Sequence, residues 1–161
     1  MTKPVSALAE RVEYSPSVAA LLARDTAEAQ LGRLFVRFAE ALMDQDSNRI
    51  DAVVTADARF HELEDAGFPP GPHGFKVFRK QINAALPDEH VVIVQMRFPE
   101  PGIIETELDC TGTHLGELMG NPATGRAIRF TVYTRNRFEG DRMAERWDRT
   151  DVAGLLAQLK T

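Results

Sequence analysis

The carboxylate of Asp148 is the first candidate for chemistry in this sequence. It lies in Glu145-Arg146-Trp147-Asp148, at the end of the last predicted strand and directly before the closing helix. A carboxylate in this position can project into a pocket mouth, where apolar surroundings raise its pKa and suit it to general acid and base catalysis. The alternative is a structural role, either as an ion pair with Arg146 or Arg149 or as a cap of the closing helix.

Two histidines are further candidates for the site. His61 lies at the end of the first predicted strand, 58–63, where it could donate a hydrogen bond to a substrate carbonyl or orient Asp148, although a half-exposed structural role is an equal alternative. His114 is predicted to point inward beside Cys110, and a lone inward histidine is more often a core residue than a catalyst. Cys110 has no other activating partner, so we do not expect covalent catalysis.

The segment after His61 contains an acidic group and a turn-rich loop. Glu62, Glu64 and Asp65 are spaced as water-facing residues, so we predict no metal site there. Residues 66–74 contain three prolines and three glycines and are predicted to form a loop that borders the site, with Phe68 as a candidate substrate contact. No glycine loop of the phosphate-binding kind is present, and we predict no cofactor.

Apolar spacing predicts the elements that must position these residues. Helices are expected over 25–45 and 75–86, with a short helix before the first and a closing helix over 151–159. Four strands are expected over 90–98, 103–115, 128–138 and 142–149. Short turns join these strands, which predicts an antiparallel meander that the helices cover.

Charges suggest the register of the middle hairpin and thereby its inner face. We predict that Glu105 faces Arg137, Glu107 faces Arg135 and Thr113 faces Arg129. Because side chains alternate along a strand, the opposite face is then mainly apolar with a few polar groups, as expected of a pocket lining. The candidate substrate-binding residues on that face are His114, Phe130, Thr134 and Asn136.

Length and composition place limits on the class of protein. The 161 residues, of which 43% are apolar and 27% charged, fit one domain over 1–161, with 1–15 as a loose arm. The net charge of -5 argues against nucleic-acid binding. No run of about 18 apolar residues and no apolar leader is present, so we expect no membrane association and a cytoplasmic location.

A longer motif resembles a known family. Residues 112–126, Gly-Thr-His-Leu-Gly-Glu-Leu-Met-Gly-Asn-Pro-Ala-Thr-Gly-Arg, are followed by Phe130-Thr131, Arg137-Phe138 and Glu145-Arg146-Trp147-Asp148. Together they resemble the SnoaL-like polyketide cyclases and ester cyclases of the NTF2-like superfamily. The resemblance implies an α+β fold: a cone-shaped barrel in which helices and a curved antiparallel sheet surround one pocket, commonly in a homodimer.

The resemblance also implies roles for individual residues. Asp148 matches the aspartate that acts as acid and base in an intramolecular aldol closure without a cofactor, and His61 matches a histidine found after the first strand. His114 matches the motif histidine, with a structural or pocket-lining role. Thr134 departs from the cyclase pattern, which often has histidine there, and Val132 replaces a polar residue, so fewer donors are expected for an enolate oxygen.

These observations together predict a cofactor-independent cyclase, isomerase or hydrolase acting on a small hydrophobic carbonyl compound. One alternative is a non-catalytic domain that binds a small molecule in the same pocket. A second alternative is an enzyme resembling ketosteroid isomerases or dehydratases, which needs a second acid such as His61 or Tyr14. The outer sheet face, with Arg129, Tyr133, Arg135 and Arg137 against Glu105 and Glu107, is the predicted homodimer interface.

Overall fold

The computed structural model describes residues 11–44, 46 and 48–160. This part of the chain contains six helices and six strands, which confirms the predicted α+β class. In chain order the elements are β1 (Val12–Tyr14), α1 (Pro16–Leu22), α2 (Ala27–Met43), α3 (Asn48–Val53), β2 (Val54–Phe60), α4 (His61–Asp65), α5 (Gly71–Ala85), β3 (His90–Glu100), β4 (Ile103–Thr113), β5 (Ala127–Glu139), β6 (Arg142–Thr150) and α6 (Val152–Leu159).

The strands form one open, curved sheet in the order β1-β3-β4-β5-β6-β2. The four long strands pair antiparallel as a meander, as predicted. Both edge strands differ from the prediction, because β1 pairs parallel with β3 and β2 pairs parallel with β6. Helices separate each of these pairs along the chain, and such long connections permit parallel pairing where a short turn does not.

The register between β4 and β5 differs from the predicted one by two residues. Glu105 lies opposite Arg135, Glu107 opposite Tyr133 and Thr113 opposite Ala127. The predicted partners of these three residues, Arg137, Arg135 and Arg129, are therefore wrong. A shift of two residues keeps every side chain on its face. The predicted inner face is therefore present, and Ile104, Thr106, Leu108, Thr134 and Asn136 are all buried on it.

The helix α2 provides the largest apolar cover of the sheet. The hydroxyl of Thr26 accepts a hydrogen bond from the Ala29 N–H at 3.1 Å and begins the helix. Phe35 and Phe38 are fully buried in the main core. At the other end, Arg79 donates to the carbonyl of Leu42 at 3.0 Å, which fixes the helix terminus against α5.

Several predicted boundaries are corrected by the structure. The first strand covers Val54–Phe60 rather than 58–63, and His61 begins α4. The helix α5 begins at Gly71 rather than 75, because proline is compatible with a first helical turn and Gly74 packs closely against Pro69. The predicted arm lies outside the described residues at 1–10, whereas Val12–Tyr14 pair with β3 and are not loose.

No helix in the described part of the chain is long and apolar enough to cross a membrane.

Candidate functional site

A line of polar side chains crosses the inner face of the sheet over three adjacent strands. The register aligns Thr106 of β4, Thr134 of β5 and Asp148 of β6 at one level. At the next level, Asn136 of β5 lies opposite Arg146 of β6. Apart from Asp148, which is half-buried, these side chains are buried. Five polar groups thus interrupt an otherwise apolar surface.

Hydrogen bonds connect most of this polar line. The hydroxyls of Thr106 and Thr134 are 2.6 Å apart. The Asn136 amide donates to the Thr134 hydroxyl at 2.8 Å and to the Ile104 carbonyl at 3.2 Å. Its amide oxygen then faces Arg146, whose Nη1 is 3.5 Å away. Because burial makes unpaired polar groups costly, these contacts fix the orientation of Asn136 and of the guanidinium.

Asp148 and Arg146 form a close ion pair at the end of the line. Nε of Arg146 and Oδ1 of Asp148 are 2.7 Å apart, and the guanidinium also lies over the Phe38 ring, 5.1 Å from its centroid. The Arg146 side chain is 6% exposed and that of Asp148 28% exposed. Burial raises the pKa of Asp148, and this effect outweighs the lowering caused by Arg146. A carboxyl group of this kind can both accept and return a proton.

Half-buried apolar side chains border the main core on several elements. Phe130 and Val132 lie on the inner face of β5, and Leu63 of α4 and Phe78 of α5 also pack against this core. Phe68 is half-buried and lies edge-on to Phe78, with ring centroids 5.8 Å apart. Both aromatic candidates, Phe68 and Phe130, therefore keep exposed surface.

The deeper interior is filled by side chains. Phe35, Phe38, Ile93 and Ile104 have no exposed surface. A groove of about 290 Å³ touches Asp148 but is lined mainly by outer-face side chains such as Tyr133, Arg135 and Trp147. Among the described residues, the groove that reaches Asp148 therefore differs from the predicted pocket between helices and sheet.

His61 does not reach Asp148. Its Nε2 lies 2.7 Å from a carboxylate oxygen of Glu145, and its ring stacks on Trp147 with centroids 4.7 Å apart. Glu145 and Trp147 alternate with Arg146 and Asp148 along β6, so His61 lies on the opposite sheet face. The prediction that His61 orients Asp148 is therefore wrong, because β2 ends one residue before it and the chain turns into α4.

Comparison with known proteins identifies the family. The family model for "SnoaL-like polyketide cyclase" matches residues 33–159. The chain belongs to the SnoaL-like polyketide cyclase family. No curated protein matches the chain significantly.

Solved structures of SnoaL-like proteins share the fold. TsrD from Streptomyces laurentii is 21% identical, with a TM-score of 0.72, and the match covers 84% of this chain and 97% of that one. IdmH from Streptomyces antibioticus, described as a candidate polyketide cyclase, is 27% identical with a TM-score of 0.69, over 81% and 98% of the two chains. A candidate polyketide cyclase from Bacillus cereus is 21% identical with a TM-score of 0.70, over 99% and 93%.

The residues around His114, in the SnoaL-like motif, make contacts that stabilise the fold. His114 has no exposed surface, and its Nδ1 accepts a hydrogen bond from the Thr124 N–H at 3.3 Å. Beyond it, the N–H groups of Leu115 and Gly116 donate to the Ala85 carbonyl at 2.9 and 3.2 Å. The motif therefore closes the end of α5, and contact of His114 with a substrate stays a prediction.

The sequence predicts Arg146 only as an ion-pair partner of Asp148, and this pair is present. The alternation of Arg146 with Trp147 and its alignment with Asn136 place it on the inner face. Glu62 is exposed, in agreement with the prediction that the acidic group faces water, and the helix α4 that contains it packs on β6. Among the described residues, no group of three or more His, Cys, Asp or Glu side chains is placed to hold a metal ion.

Proposed function

We propose that this SnoaL-like chain is a cofactor-independent acid/base enzyme that acts on a small hydrophobic carbonyl compound, with Asp148 as the general acid and base. The observation that carries the proposal is the half-buried Asp148 carboxylate, whose pKa burial raises, beside a buried arginine on the inner face. The half-buried Phe130 and Val132, on the same face of β5 as Thr134, support a hydrophobic substrate. The IdmH description as a candidate polyketide cyclase agrees with this class of reaction.

The ion pair suggests how charge is managed in the reaction. Ionised Asp148 removes a proton from the carbon next to a carbonyl, and the C–H electron pair becomes an enolate. Negative charge moves from Asp148 to the enolate oxygen, so Arg146 exchanges one anionic partner for another. Because the cation is already fixed by Asn136 and Phe38, little reorganisation accompanies this transfer.

The same arrangement can complete a ring closure. The enolate carbon forms a bond to a second carbonyl carbon of the same molecule, and that carbonyl becomes an alkoxide. The proton held by Asp148 then passes to the alkoxide, which restores the carboxylate. Arg146 supplies the electrostatic stabilisation that a histidine at the position of Thr134 would otherwise provide. The departure of Thr134 and Val132 from the cyclase pattern is therefore compatible with enolate chemistry.

Exchange of carbon-bound protons tests the proposal. We would incubate the protein with 1-tetralone in D₂O and follow loss of the C2 protons by proton NMR. The Asp148→Asn variant is expected to lose at least about 100-fold of the enzyme-dependent rate, since an amide cannot accept the proton. The matched control is Arg149→Gln, which changes the adjacent exposed residue of β6. Equal rates for wild type and Asp148→Asn would contradict the proposal.

A non-catalytic binding domain is the second candidate, and the ion pair itself favours it. An aspartate paired with a buried arginine at 2.7 Å can have a purely structural role. In that case 1-tetralone would bind, as seen by chemical-shift changes of the inner-face residues, while the rate of proton exchange would equal that of buffer. The same NMR samples distinguish the two functions.

A further inference from the structure

A groove of about 620 Å³ lies beside α5 on the helix side of the molecule. Its lining residues are Asp44, which directly follows α2, Ile50 of α3 and residues of α5 between His73 and Ala84. Among the described residues, no strand contributes to this groove, and Asp148 does not line it. The groove is therefore separate from the candidate site on the inner face of the sheet.

Three basic side chains of α5 line the groove. His73, Lys76 and Lys80 follow one another at intervals of three and four residues, which places them on one side of the helix. The Lys76 ammonium is 2.6 Å from the Asp51 carboxylate of α3. Lys80 is exposed, and no carboxylate of the described residues forms an ion pair with it. Lys80 therefore gives the groove a positive charge without a partner.

Arg79 also lines the groove but is buried, with 8% of its side chain exposed. Within the described residues its hydrogen bonds all come from Nη2, which donates to the Leu42 carbonyl at 3.0 Å, the Asn83 amide oxygen at 3.3 Å and the Glu89 carboxylate at 2.7 Å. Its Nε is buried and has no hydrogen-bond partner among these residues. Buried donors in proteins are almost always paired, because an unpaired one costs free energy. A ligand oxygen in the groove would supply the missing acceptor.

The other side chains of the groove indicate which ligand fits. The Asp44 carboxylate is 2.9 Å from Nη1 of Arg49, so it does not neutralise Lys80. One uncompensated ammonium matches the single charge of a carboxylate better than the nearly double charge of a phosphate monoester. Val77 and Ala84 present apolar surface beside the charged groups. Together these features favour a molecule with one carboxylate and a short apolar part.

We propose that this groove binds a small aliphatic carboxylate. The carboxylate accepts a hydrogen bond from the Nε–H of Arg79 and pairs with the Lys80 ammonium, while the aliphatic part contacts Val77 and Ala84. Hydrogen bonds between oppositely charged groups are the strongest in proteins, so a buried guanidinium can fix the orientation of the ligand. This site goes beyond the proposed function, because binding here uses no residue of the inner sheet face. The two proposals can therefore fail separately.

Titration with hexanoate, followed by ¹H–¹⁵N NMR, tests the site. Hexanoate should produce saturable shifts of the backbone signals of the groove and of the Arg79 Nε–H signal, since that group gains an acceptor. Hexanol, which lacks the charge, and inorganic phosphate, which lacks the apolar part, are the control ligands and should bind more weakly. Equal affinity for either control ligand would contradict the proposed ligand class.

Two pairs of variants locate the binding. Ala84→Glu puts a carboxylate into the groove at an exposed position and should weaken hexanoate binding at least about 10-fold. Its control, Gln81→Glu, adds the same charge at an exposed position of α5 outside the groove. Lys80→Gln should weaken binding about 2- to 5-fold, as expected for the loss of one exposed ion pair. Its control, Lys160→Gln, removes an exposed lysine elsewhere, and both controls should keep the wild-type affinity.

The remaining outcomes overturn the proposal. Absence of saturable shifts in the groove, or shifts confined to the inner sheet face, would show that no carboxylate site exists here. An Arg79 Nε–H signal that stays unchanged while the backbone signals shift would exclude the buried guanidinium as a donor to the ligand. Equal losses of affinity in Ala84→Glu and Gln81→Glu would show that long-range charge, rather than contact in the groove, controls binding.

Discussion

Arg146 is the residue that most changes the interpretation of the site. A buried guanidinium is tolerated only where hydrogen bonds and an opposite charge compensate for lost hydration. Asp148 supplies the charge, Asn136 an amide oxygen and Phe38 an aromatic face. The inner face therefore contains a fixed cation next to Asp148, and the proposed enolate chemistry depends on this cation.

Asn136 should contribute to stability through the groups that it satisfies. In Asn136→Ala, the hydrogen bonds to the Thr134 hydroxyl and the Ile104 carbonyl are lost, and the Arg146 guanidinium loses its nearest amide oxygen. We expect the free energy of unfolding to fall by about 2 kcal/mol, measured by urea denaturation. The control Gln81→Ala changes an exposed position of α5 and should differ from wild type by less than about 0.5 kcal/mol. Equal losses in both variants would contradict this assignment.

At the scale of elements, the loop between β4 and β5 holds the end of α5. The N–H groups of Leu115 and Gly116 satisfy the Ala85 carbonyl, which has no partner within the helix. Apolar residues of α5, the loop, β5 and α6 form a second core around this junction. Its buried members are Ala85, Leu86, Leu118, Ile128, Leu155 and Leu159. The motif that resembles the family thus has a packing role that is independent of chemistry.

Gly116 should not tolerate a side chain. A Cβ atom built there would lie 2.5 Å from the backbone oxygen of Ala84, and backbone cannot move aside as a flexible side chain can. We expect Gly116→Ala to lose about 1 to 3 kcal/mol of unfolding free energy, measured by urea denaturation. Glu117→Ala, at the next exposed position, is the control. Wild-type stability in Gly116→Ala would show that the loop does not pack closely on α5.

The contact between α4 and β6 should make stability depend on pH through Glu145. Burial alone would raise the pKa of Glu145, but its hydrogen bonds with His61 and Arg137 outweigh burial and lower it. Because the pKa of Glu145 is lower in the folded state than in the unfolded state, ionised Glu145 stabilises the fold above its unfolded pKa of about 4.3. This stabilisation is lost as the pH falls through the folded-state pKa. Glu145→Gln should therefore cost about 1 kcal/mol at pH 7, and the difference from wild type should shrink toward pH 3.

Urea denaturation at both pH values measures this effect. Asp57→Asn, at an exposed position of β2, is the control that alters a carboxylate outside this contact. A constant difference between Glu145→Gln and wild type from pH 7 to pH 3 would contradict the electrostatic explanation.

At the scale of the whole molecule, the outer face of the sheet carries opposite charges on adjacent strands. Asp109 pairs with Arg129 at 2.6 Å, and Glu105 pairs with Arg135 at 3.4 Å. The Tyr133 side chain lies between these pairs, 42% exposed and beneath the Arg149 guanidinium. An acidic strand beside a basic strand is complementary to a second copy turned by two-fold symmetry, and we propose a homodimer through this face.

Sedimentation velocity at micromolar concentration tests the homodimer. Wild type should sediment as a dimer, and Tyr133→Asp should shift it toward monomer by burying an uncompensated charge at the interface. Tyr14→Asp is a matched control, since Tyr14 is similarly exposed at 44% but lies on the edge strand β1. A monomeric wild type would contradict the proposal.

Local sequence patterns were sufficient to predict the fold class, the family and the inner face of the sheet. Helical spacing of apolar residues marks α2 and α5, and period-two alternation separates Thr134 and Asn136 from Tyr133 and Arg135. These patterns are local consequences of side-chain direction, so a register error of two residues leaves them intact. The family could also be predicted from residues 112–126, because this motif is one contiguous stretch of sequence.

The groups around Asp148 depend on long-range packing. The parallel pairing of β2 with β6 joins segments more than 80 residues apart and brings α4 against β6, while the turn into α4 places His61 on the other face. Local patterns contain no information on such long-range pairing, since it depends on how helices and sheet pack together. Close packing of Phe35, Phe38 and Ile104 likewise fills interior space where the sequence predicts a pocket, because interior volume is set by contacts between elements.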